Sequence, residues 1–129
     1  MCAKVSPFKA IRPVRDKAHL VASRPYYTYS KNVLQAKLET NPFSFIHIIN
    51  PEFDKDDRTE ANSDERFQNV KAKFESFIEK GTLFEDNKEA FYIYRQSNET
   101  TSYTGIIAGA SVDDYNNGCL LYTSDAADD

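Results

Sequence analysis

The chain has few of the residues and segments that mark several special classes of protein. It contains no tryptophan, four glycines and five prolines in 129 residues, which excludes collagen-like and low-complexity proteins. No apolar run approaches the roughly 18–20 residues of a transmembrane helix, and the first residues lack the apolar stretch of a signal peptide. We therefore expect a protein with no membrane segment that stays in the cytoplasm.

The amino-acid composition is that of an ordinary globular domain. Hydrophobic residues make up 40% of the chain and charged residues 28%, while nine Phe and eight Tyr supply large side chains for a core. A length of 129 residues corresponds to one domain at most. Because composition does not indicate a function, the function has to be inferred from local motifs.

The last eleven residues differ in character from the rest. Residues 119–129 read CLLYTSDAADD. Back-translated, this segment resembles the transposase end and linker used in DNA sequencing libraries, which predicts a non-native, adapter-derived tail. Residues 1–118 are then the N-terminal fragment of a longer domain, and the remainder of that protein is missing here. The alternative is a native short strand, Cys119–Thr123, followed by a solvated acidic tail.

Charge is distributed unevenly along residues 1–118. Seventeen acidic and sixteen basic residues give a net charge of −1, but residues 1–37 carry +7 and residues 38–118 carry −8. A basic segment can bind an anionic group such as phosphate through the guanidinium groups of arginine and the ammonium groups of lysine. The alternative is that these basic side chains are solvated or neutralise acids of the same domain.

The first forty residues predict a strand, a loop and a helix. Phe8–Arg12 alternates apolar and polar side chains between two prolines and predicts a short strand. Residues 21–30 predict an extended loop, because their proline keeps the preceding residue out of helical geometry. Ser30 is a suitable N-cap for a helix over Lys31–Glu39, whose two leucines lie one turn apart.

The middle of the chain predicts another strand and a second helix. Phe43–Asn50 is apolar on both faces and predicts a strand in the middle of a sheet. Residues 51–61 carry five acidic side chains and predict a polar loop. Asn62 and Glu65 predict a capping box at the start of a helix, and Gly81 predicts its end. The apolar residues at helical spacing are Phe67, Val70, Phe74, Phe77 and Ile78.

Two further strands complete the pattern. Phe91–Arg95 and Thr104–Val112 have strand composition, and the polar residues 97–102 between them predict an antiparallel hairpin. Residues 113–118 predict a turn. The order strand, helix, strand, helix, strand, strand predicts an α+β fold, a mixed sheet with flanking helices that is truncated in this chain.

Familiar catalytic motifs are absent from the sequence. It has no glycine-rich phosphate loop, cysteine pair at metal spacing, HExxH or nucleophile elbow. His47 lies in an apolar segment, where a hydrogen-bonded core histidine is favoured over a catalytic one. Asp54, Asp56 and Asp57 lack the glycine and distal glutamate of an EF-hand, so a solvated loop is favoured over a divalent-cation site. We predict no metal-binding residues.

Six segments carry a resemblance to a known family, and they are Pro7–Pro13, Val21–Tyr26, Asn41–His47, Pro51–Phe53, Ile93–Gln96 and Gly105–Tyr115. In this order, over residues 5–118, they resemble the opening of the domain-of-unknown-function 1015 family. That family is similar to the ParB/sulfiredoxin-like superfamily, whose members bind nucleotides or phosphates. The superfamily includes free-serine kinases, among them a pyrophosphate-dependent type.

The resemblance implies phosphoryl transfer from a small-molecule phosphate donor to a small hydroxyl metabolite such as free serine. The donor would be pyrophosphate or a nucleotide, usually with Mg²⁺. Arg12, Arg15 and Arg24 lie inside or beside the matching segments and are the predicted phosphate-binding residues. Glu52 is the carboxylate of the Pro51–Phe53 segment and is the predicted catalytic residue, with a structural or surface role as the alternative.

The rival function is a ParB-like, nucleotide-dependent module that binds DNA or protein, with Tyr26 stacking on a ligand base beside Arg24. Nucleic acid is the less favoured partner, because residues 1–118 are nearly neutral overall. The chain also departs from the family. It has Tyr27–Thr28 where the family has Asp-Val, and the family's Gly-His-His-Arg segment, which resembles a phosphate-binding motif, lies beyond Gly118. We therefore expect the fragment itself to be inactive.

Overall fold

Helices and short antiparallel strand pairs make up the computed structural model of the chain, which describes residues 3–120. In chain order the elements are β1 (Val5–Ser6), β2 (Ile11–Pro13), α1 (Ala18–Val21), a 3₁₀ helix (Tyr26–Thr28), α2 (Lys31–Thr40), α3 (Ile46–Ile49), α4 (Asp64–Glu79), β3 (Leu83–Glu85), β4 (Tyr92–Ser97), β5 (Ser102–Ile107), β6 (Gly109–Ala110) and α5 (Val112–Asn116). The predicted α+β class is confirmed. Within the described residues the strands form three antiparallel pairs, β1–β6, β2–β3 and β4–β5, rather than one mixed sheet.

The chain divides into two compact units. Residues 11–85 form one, which we call the central unit, and the segments up to residue 10 and from residue 86 form the other, the terminal unit. None of the helices within residues 3–120 combines the length and the apolar character needed to cross a membrane.

Two apolar clusters form the core of the central unit. The first contains Val21, Ile48, Phe77 and Leu83, against which other apolar side chains of α4 pack. The second contains Leu34, Leu38 and Ile46, together with Tyr29 and Phe53. Helix α3 therefore contributes one isoleucine to each cluster and joins the two.

The predicted strand at Phe43–Asn50 is wrong, because this segment folds into a turn followed by α3. Asn41 starts the turn, since its side-chain oxygen accepts from the Phe43 amide at 3.0 Å. The Ser44 hydroxyl then accepts from the Ile46 amide at 3.3 Å. A short helix with a buried cluster on either side needs apolar residues on both faces, as a central strand does. A short apolar run therefore does not distinguish the two.

The two long helices form close to the predicted positions. Ser30 caps α2, because its hydroxyl accepts from the Val33 amide. At α4 the predicted capping box is wrong by one residue, since Ser63 and not Asn62 is the cap and accepts from the Arg66 amide. Asn62 has a φ of 61°, and this left-handed conformation does not suit an N-cap. Gly81, with a φ of 71°, ends the helix as predicted.

In the terminal unit the predicted hairpin is confirmed. Strands β4 and β5 pair antiparallel from Tyr92 opposite Ile107 to Ser97 opposite Ser102. The hydroxyl of Tyr92 donates to the Asp86 carboxylate at 2.6 Å and accepts from the Ala10 amide at 3.0 Å. These bonds tie the N-terminal segment to the start of the hairpin.

Three other predictions of local structure need correction. The strand predicted at Phe8–Arg12 is only partly formed, as an isolated bridge of Phe8 to Ala90 and as β2. The turn predicted at 113–118 contains α5, because Ser111 caps a helical turn through the Asp114 amide. The strand predicted at Thr104–Val112 ends at Ile107, and β6 then pairs with β1.

Most of the predicted adapter-derived tail lies outside the described residues. Its first two residues are described, and the Cys119 amide donates to the Asp114 carbonyl at 2.9 Å after the end of α5. The alternative strand at Cys119–Thr123 also falls largely outside the described part of the chain. Both interpretations stay predictions.

Candidate functional site

Two of the predicted phosphate-binding arginines line one cavity in the central unit. Strand β2 pairs with β3 so that Arg12 lies opposite Phe84, and side chains of paired residues share one face of a sheet. Arg15 follows in the turn after β2, which closes through a bond from the Lys17 amide to the Val14 carbonyl. The cavity measures about 590 Å³, and its lining is Arg12, Pro13, Arg15, Ala18 and Phe84. We call it the arginine cavity.

The ring of Phe84 positions one of these arginines. The guanidinium carbon of Arg12 lies 5.3 Å from the centre of the Phe84 ring, within the range of a cation–π interaction. Such stacking covers one face of the guanidinium and restricts where the group lies. Phe84 could not be predicted from the sequence, because its position beside Arg12 depends on the pairing of β2 with β3.

The structure does not bring Arg24 and Tyr26 into the arginine cavity. Arg24 lies in the extended segment before the 3₁₀ helix, and its amide is 3.4 Å from the Tyr29 hydroxyl. Tyr26 and Tyr27 are both exposed and stack edge to face, with ring centres 5.9 Å apart. Arg24 is also exposed and precedes these two rings in the chain by two and three positions.

Glu52 is the only charged residue that is buried within residues 3–120, with 2% of its surface exposed. It follows α3, and its carboxylate accepts from the amide and the hydroxyl of Thr59 at 3.1 and 2.8 Å. Two residues of α4 also donate to it, Arg66 at 3.2 Å and Asn69 at 3.0 Å. Arg66 and Asn69 are three positions apart and so share one face of the helix.

These donors hold the pKa of Glu52 below its ordinary value. The hydroxyl of Thr59 makes the largest contribution, and burial opposes it by raising the pKa. Both carboxylate oxygens already accept bonds, so a substrate hydroxyl would have to displace a donor before Glu52 could take its proton. In the arrangement observed, Glu52 fastens the loop that ends at Thr59 to α4. The catalytic role of Glu52 stays a prediction.

His47 is half-buried, and one nitrogen of its ring is hydrogen-bonded. Its Nε2 lies 3.2 Å from the Leu38 carbonyl oxygen and 3.0 Å from that of Asn41. Carbonyl oxygens only accept, so Nε2 carries the proton and donates to them. Within residues 3–120 no group of three His, Cys, Asp or Glu side chains is arranged to hold a metal ion.

Comparisons with known proteins give one match. A family model described as "Protein of unknown function (DUF1015)" matches residues 5–123 and thus nearly the whole chain. The match ends inside the segment predicted to be a tail. The searches of curated proteins and of solved structures give no match.

Proposed function

The chain belongs to the DUF1015 family, and we propose that its arginine cavity binds a phosphate group. The protein would use this group in phosphoryl transfer to a small hydroxyl metabolite such as free serine. The observation that carries the proposal is that Arg12 and Arg15 line one cavity, with Arg12 stacked on Phe84.

Two guanidinium groups in one cavity suit a multiply charged oxyanion. Guanidinium groups carry paired N–H donors that match the oxygen spacing of phosphate, and a second guanidinium adds electrostatic attraction. Pro13 lies between the two and restricts the backbone, which reduces the entropy lost on binding. Pyrophosphate and the phosphates of a nucleotide are the ligands of this chemistry.

Phosphoryl transfer also needs charge neutralisation on the donor and orientation of the acceptor hydroxyl. Mg²⁺ usually supplies the first, and at such sites it is held by one or two carboxylates together with the phosphates of the donor. Glu52 is the proposed group for the acceptor hydroxyl, on the condition that one of its present donors moves away. Arg24 is the proposed third cation, contributed from outside the cavity.

A second candidate function rests on the exposed rings of Tyr26 and Tyr27. Aromatic side chains beside an arginine can stack on the bases of a nucleotide or of single-stranded DNA. This arrangement favours the ParB-like alternative, a module that binds DNA or protein in a nucleotide-dependent way.

Calorimetric titration with pyrophosphate, ATP and ADP at fixed salt tests the main proposal. A charge-assisted hydrogen bond contributes about 1.5–3 kcal/mol, so Arg12→Ala and Arg15→Ala should each weaken pyrophosphate binding about ten- to a hundredfold. Arg12→Lys should also weaken pyrophosphate binding, because a lysine ammonium group cannot form the two parallel hydrogen bonds that a planar guanidinium forms. Arg95→Ala is the control, since Arg95 is exposed on the hairpin.

Two results decide between the candidate functions. Pyrophosphate affinity that is unchanged by both arginine substitutions would refute the phosphate role of the cavity. Affinity for duplex or single-stranded DNA that falls with Tyr26→Ala and not with Arg12→Ala would favour the binding module instead.

A further inference from the structure

Gly105 lies in the middle of β5, where a glycine weakens the strand because it has no side chain to pack. Structural reasons for such a glycine are a positive φ, a bulge or a crowded neighbour. The φ of Gly105 is not positive, and β4 and β5 pair without interruption along their whole length. Apart from its chain neighbours, no atom of the described chain would lie within 4 Å of a Cβ at this position. Close approach of another molecule to the backbone is the reason that remains.

The face of the hairpin that includes Gly105 is aromatic and exposed. Side chains alternate between the two faces of a strand, and cross-strand partners share a face. Gly105 is paired with Tyr94 and lies between Tyr103 and Ile107 on its own strand, so these three side chains border the gap at Gly105. Tyr94 and Tyr103 are 55% and 72% exposed. Neither tyrosine hydroxyl has a hydrogen-bond partner within residues 3–120. We call the surface formed by these four residues the tyrosine face.

The tyrosine face has no charged side chain. Arg95 is the only charged residue of β4 and β5, and it pairs with Thr104 on the opposite face. The described residues of the terminal unit carry four basic and five acidic side chains. Nucleic acids bind mainly through cations that neutralise their phosphates, and such an excess of cations is not present here. The charge distribution therefore favours an uncharged partner.

An open sheet face suits an extended partner, because sites for small molecules are concave. Peptides bind folded domains in a few ways. Strand addition uses the edge of a sheet and a helix needs a groove, whereas a polyproline II segment docks on exposed aromatic rings. A polyproline II segment has no internal hydrogen bonds, so its carbonyl oxygens can accept from the hydroxyls of Tyr94 and Tyr103.

We propose that the tyrosine face binds an uncharged, proline-rich peptide segment in the polyproline II conformation. A proline ring lies in the gap at Gly105, and the hydroxyls of Tyr94 and Tyr103 donate to backbone carbonyls of the peptide. The five prolines of this chain are at positions 7, 13, 25, 42 and 51 and do not form such a segment. The partner is therefore a different protein. The proposal is independent of phosphate binding, because the arginine cavity belongs to the central unit.

Calorimetric titration of the whole chain with decaproline tests this proposal. Decaproline is uncharged along its length and should bind saturably. A glycine–serine peptide of the same length is flexible and should bind at least about tenfold more weakly, because binding would have to order it. Cellohexaose and single-stranded oligothymidylate are the probes for a sugar or a nucleic acid, the other ligands that exposed aromatic rings can stack on.

Gly105→Val fills the gap without removing a side chain. It should weaken decaproline binding at least about tenfold. It should not lower the melting temperature, because valine suits a strand better than glycine and its Cβ meets open space. Thr104→Val places the same side chain one position away on the opposite face and should leave decaproline binding unchanged.

Substitutions of the two tyrosines test the rings and the hydroxyls separately. Tyr94→Ala and Tyr103→Ala should each weaken decaproline binding about tenfold, because each removes an aromatic contact. Tyr94→Phe keeps the ring and should weaken binding severalfold through the loss of one hydrogen bond.

Four results would overturn the proposal. They are the absence of saturable binding by decaproline, equal binding of the glycine–serine peptide, and decaproline affinity that is unchanged by Gly105→Val and by both alanine substitutions. The fourth is tighter binding of cellohexaose or oligothymidylate than of decaproline, which would assign the tyrosine face to that ligand.

Discussion

Burial and charge oppose each other at the carboxylate of Glu52. The carboxylate is almost fully buried, yet its pKa is lowered, because the donors from Thr59, Arg66 and Asn69 outweigh the cost of burial. Such a group stabilises the fold in its charged form. The segment that contains Glu52 was singled out from the sequence, but its partners were not, because they are contributed by residues 7 to 17 positions away.

The lowered pKa gives a prediction for stability against pH. The folded state binds the Glu52 proton more weakly than the unfolded state does, so the stabilisation is complete above the ordinary glutamate pKa of about 4.3. It is lost as the pH falls through the lower pKa of the folded protein. Glu52→Gln should therefore lower the melting temperature at pH 7, and the difference from the wild type should shrink below about pH 4.

Thermal unfolding followed by circular dichroism between pH 3 and pH 7 measures this difference. Glu60→Gln is the control, because Glu60 is an exposed carboxylate near the same loop. A Glu52→Gln protein as stable as the wild type at pH 7 would show that the four hydrogen bonds contribute no net stability.

At the scale of elements, the contrast between α2 and α3 shows what the sequence can specify. Helix α2 was predicted to within one residue because its cap and its buried leucines are local signals. Helix α3 was not predicted, because its apolar residues pack into two clusters whose other members come from distant parts of the chain. Tertiary contacts decide the conformation of such a segment, and periodicity alone cannot.

Alanine substitutions in α3 distinguish the helix from the strand. Ile46 is 2% exposed and Ile49 is 44% exposed. Ile46→Ala should therefore cost about 2–5 kcal/mol of unfolding free energy, whereas Ile49→Ala should cost less than about 1.5 kcal/mol. In the strand that the sequence predicted, both faces are buried, and the two substitutions would cost similar amounts. Urea denaturation of the two variants measures the difference.

The β4–β5 hairpin predicts self-association. Ile93 and Ile106 form a cross-strand pair and are 77% and 74% exposed. The outer edges of the two strands pair with no other strand within residues 3–120. Exposed apolar pairs and open strand edges favour contact between chains. The sequence predicted a strand at Thr104–Val112, and in the structure this strand is Ser102–Ile107.

Sedimentation at several protein concentrations tests this expectation. The wild-type chain should form dimers or larger species as its concentration rises, and Ile93→Lys with Ile106→Lys should reduce them. Ser97→Lys, at the polar end of the hairpin, is the control. A monomeric wild-type protein at all concentrations would contradict the prediction.

At the scale of the whole molecule, the uneven charge of the sequence does not correspond to one unit. Lys4 and Lys9 belong to the terminal unit, whereas Arg12, Arg15 and the following basic residues belong to the central unit. The net charge of +7 over residues 1–37 is therefore divided between the two units. The family and the two arginines of the cavity could be predicted from the sequence. Phe84 could not, because it comes to lie opposite Arg12 only when β2 pairs with β3.

The central claim is that Arg12 and Arg15 hold the same phosphate group, and a double-mutant cycle on pyrophosphate affinity tests it most directly. Calorimetry would compare the wild type, Arg12→Ala, Arg15→Ala and the double variant at one salt concentration. Residues that share a ligand group couple by about 0.5–3 kcal/mol, so the double variant should lose clearly less binding energy than the sum of the two single losses. Additive losses, or no loss in either single variant, would contradict the claim.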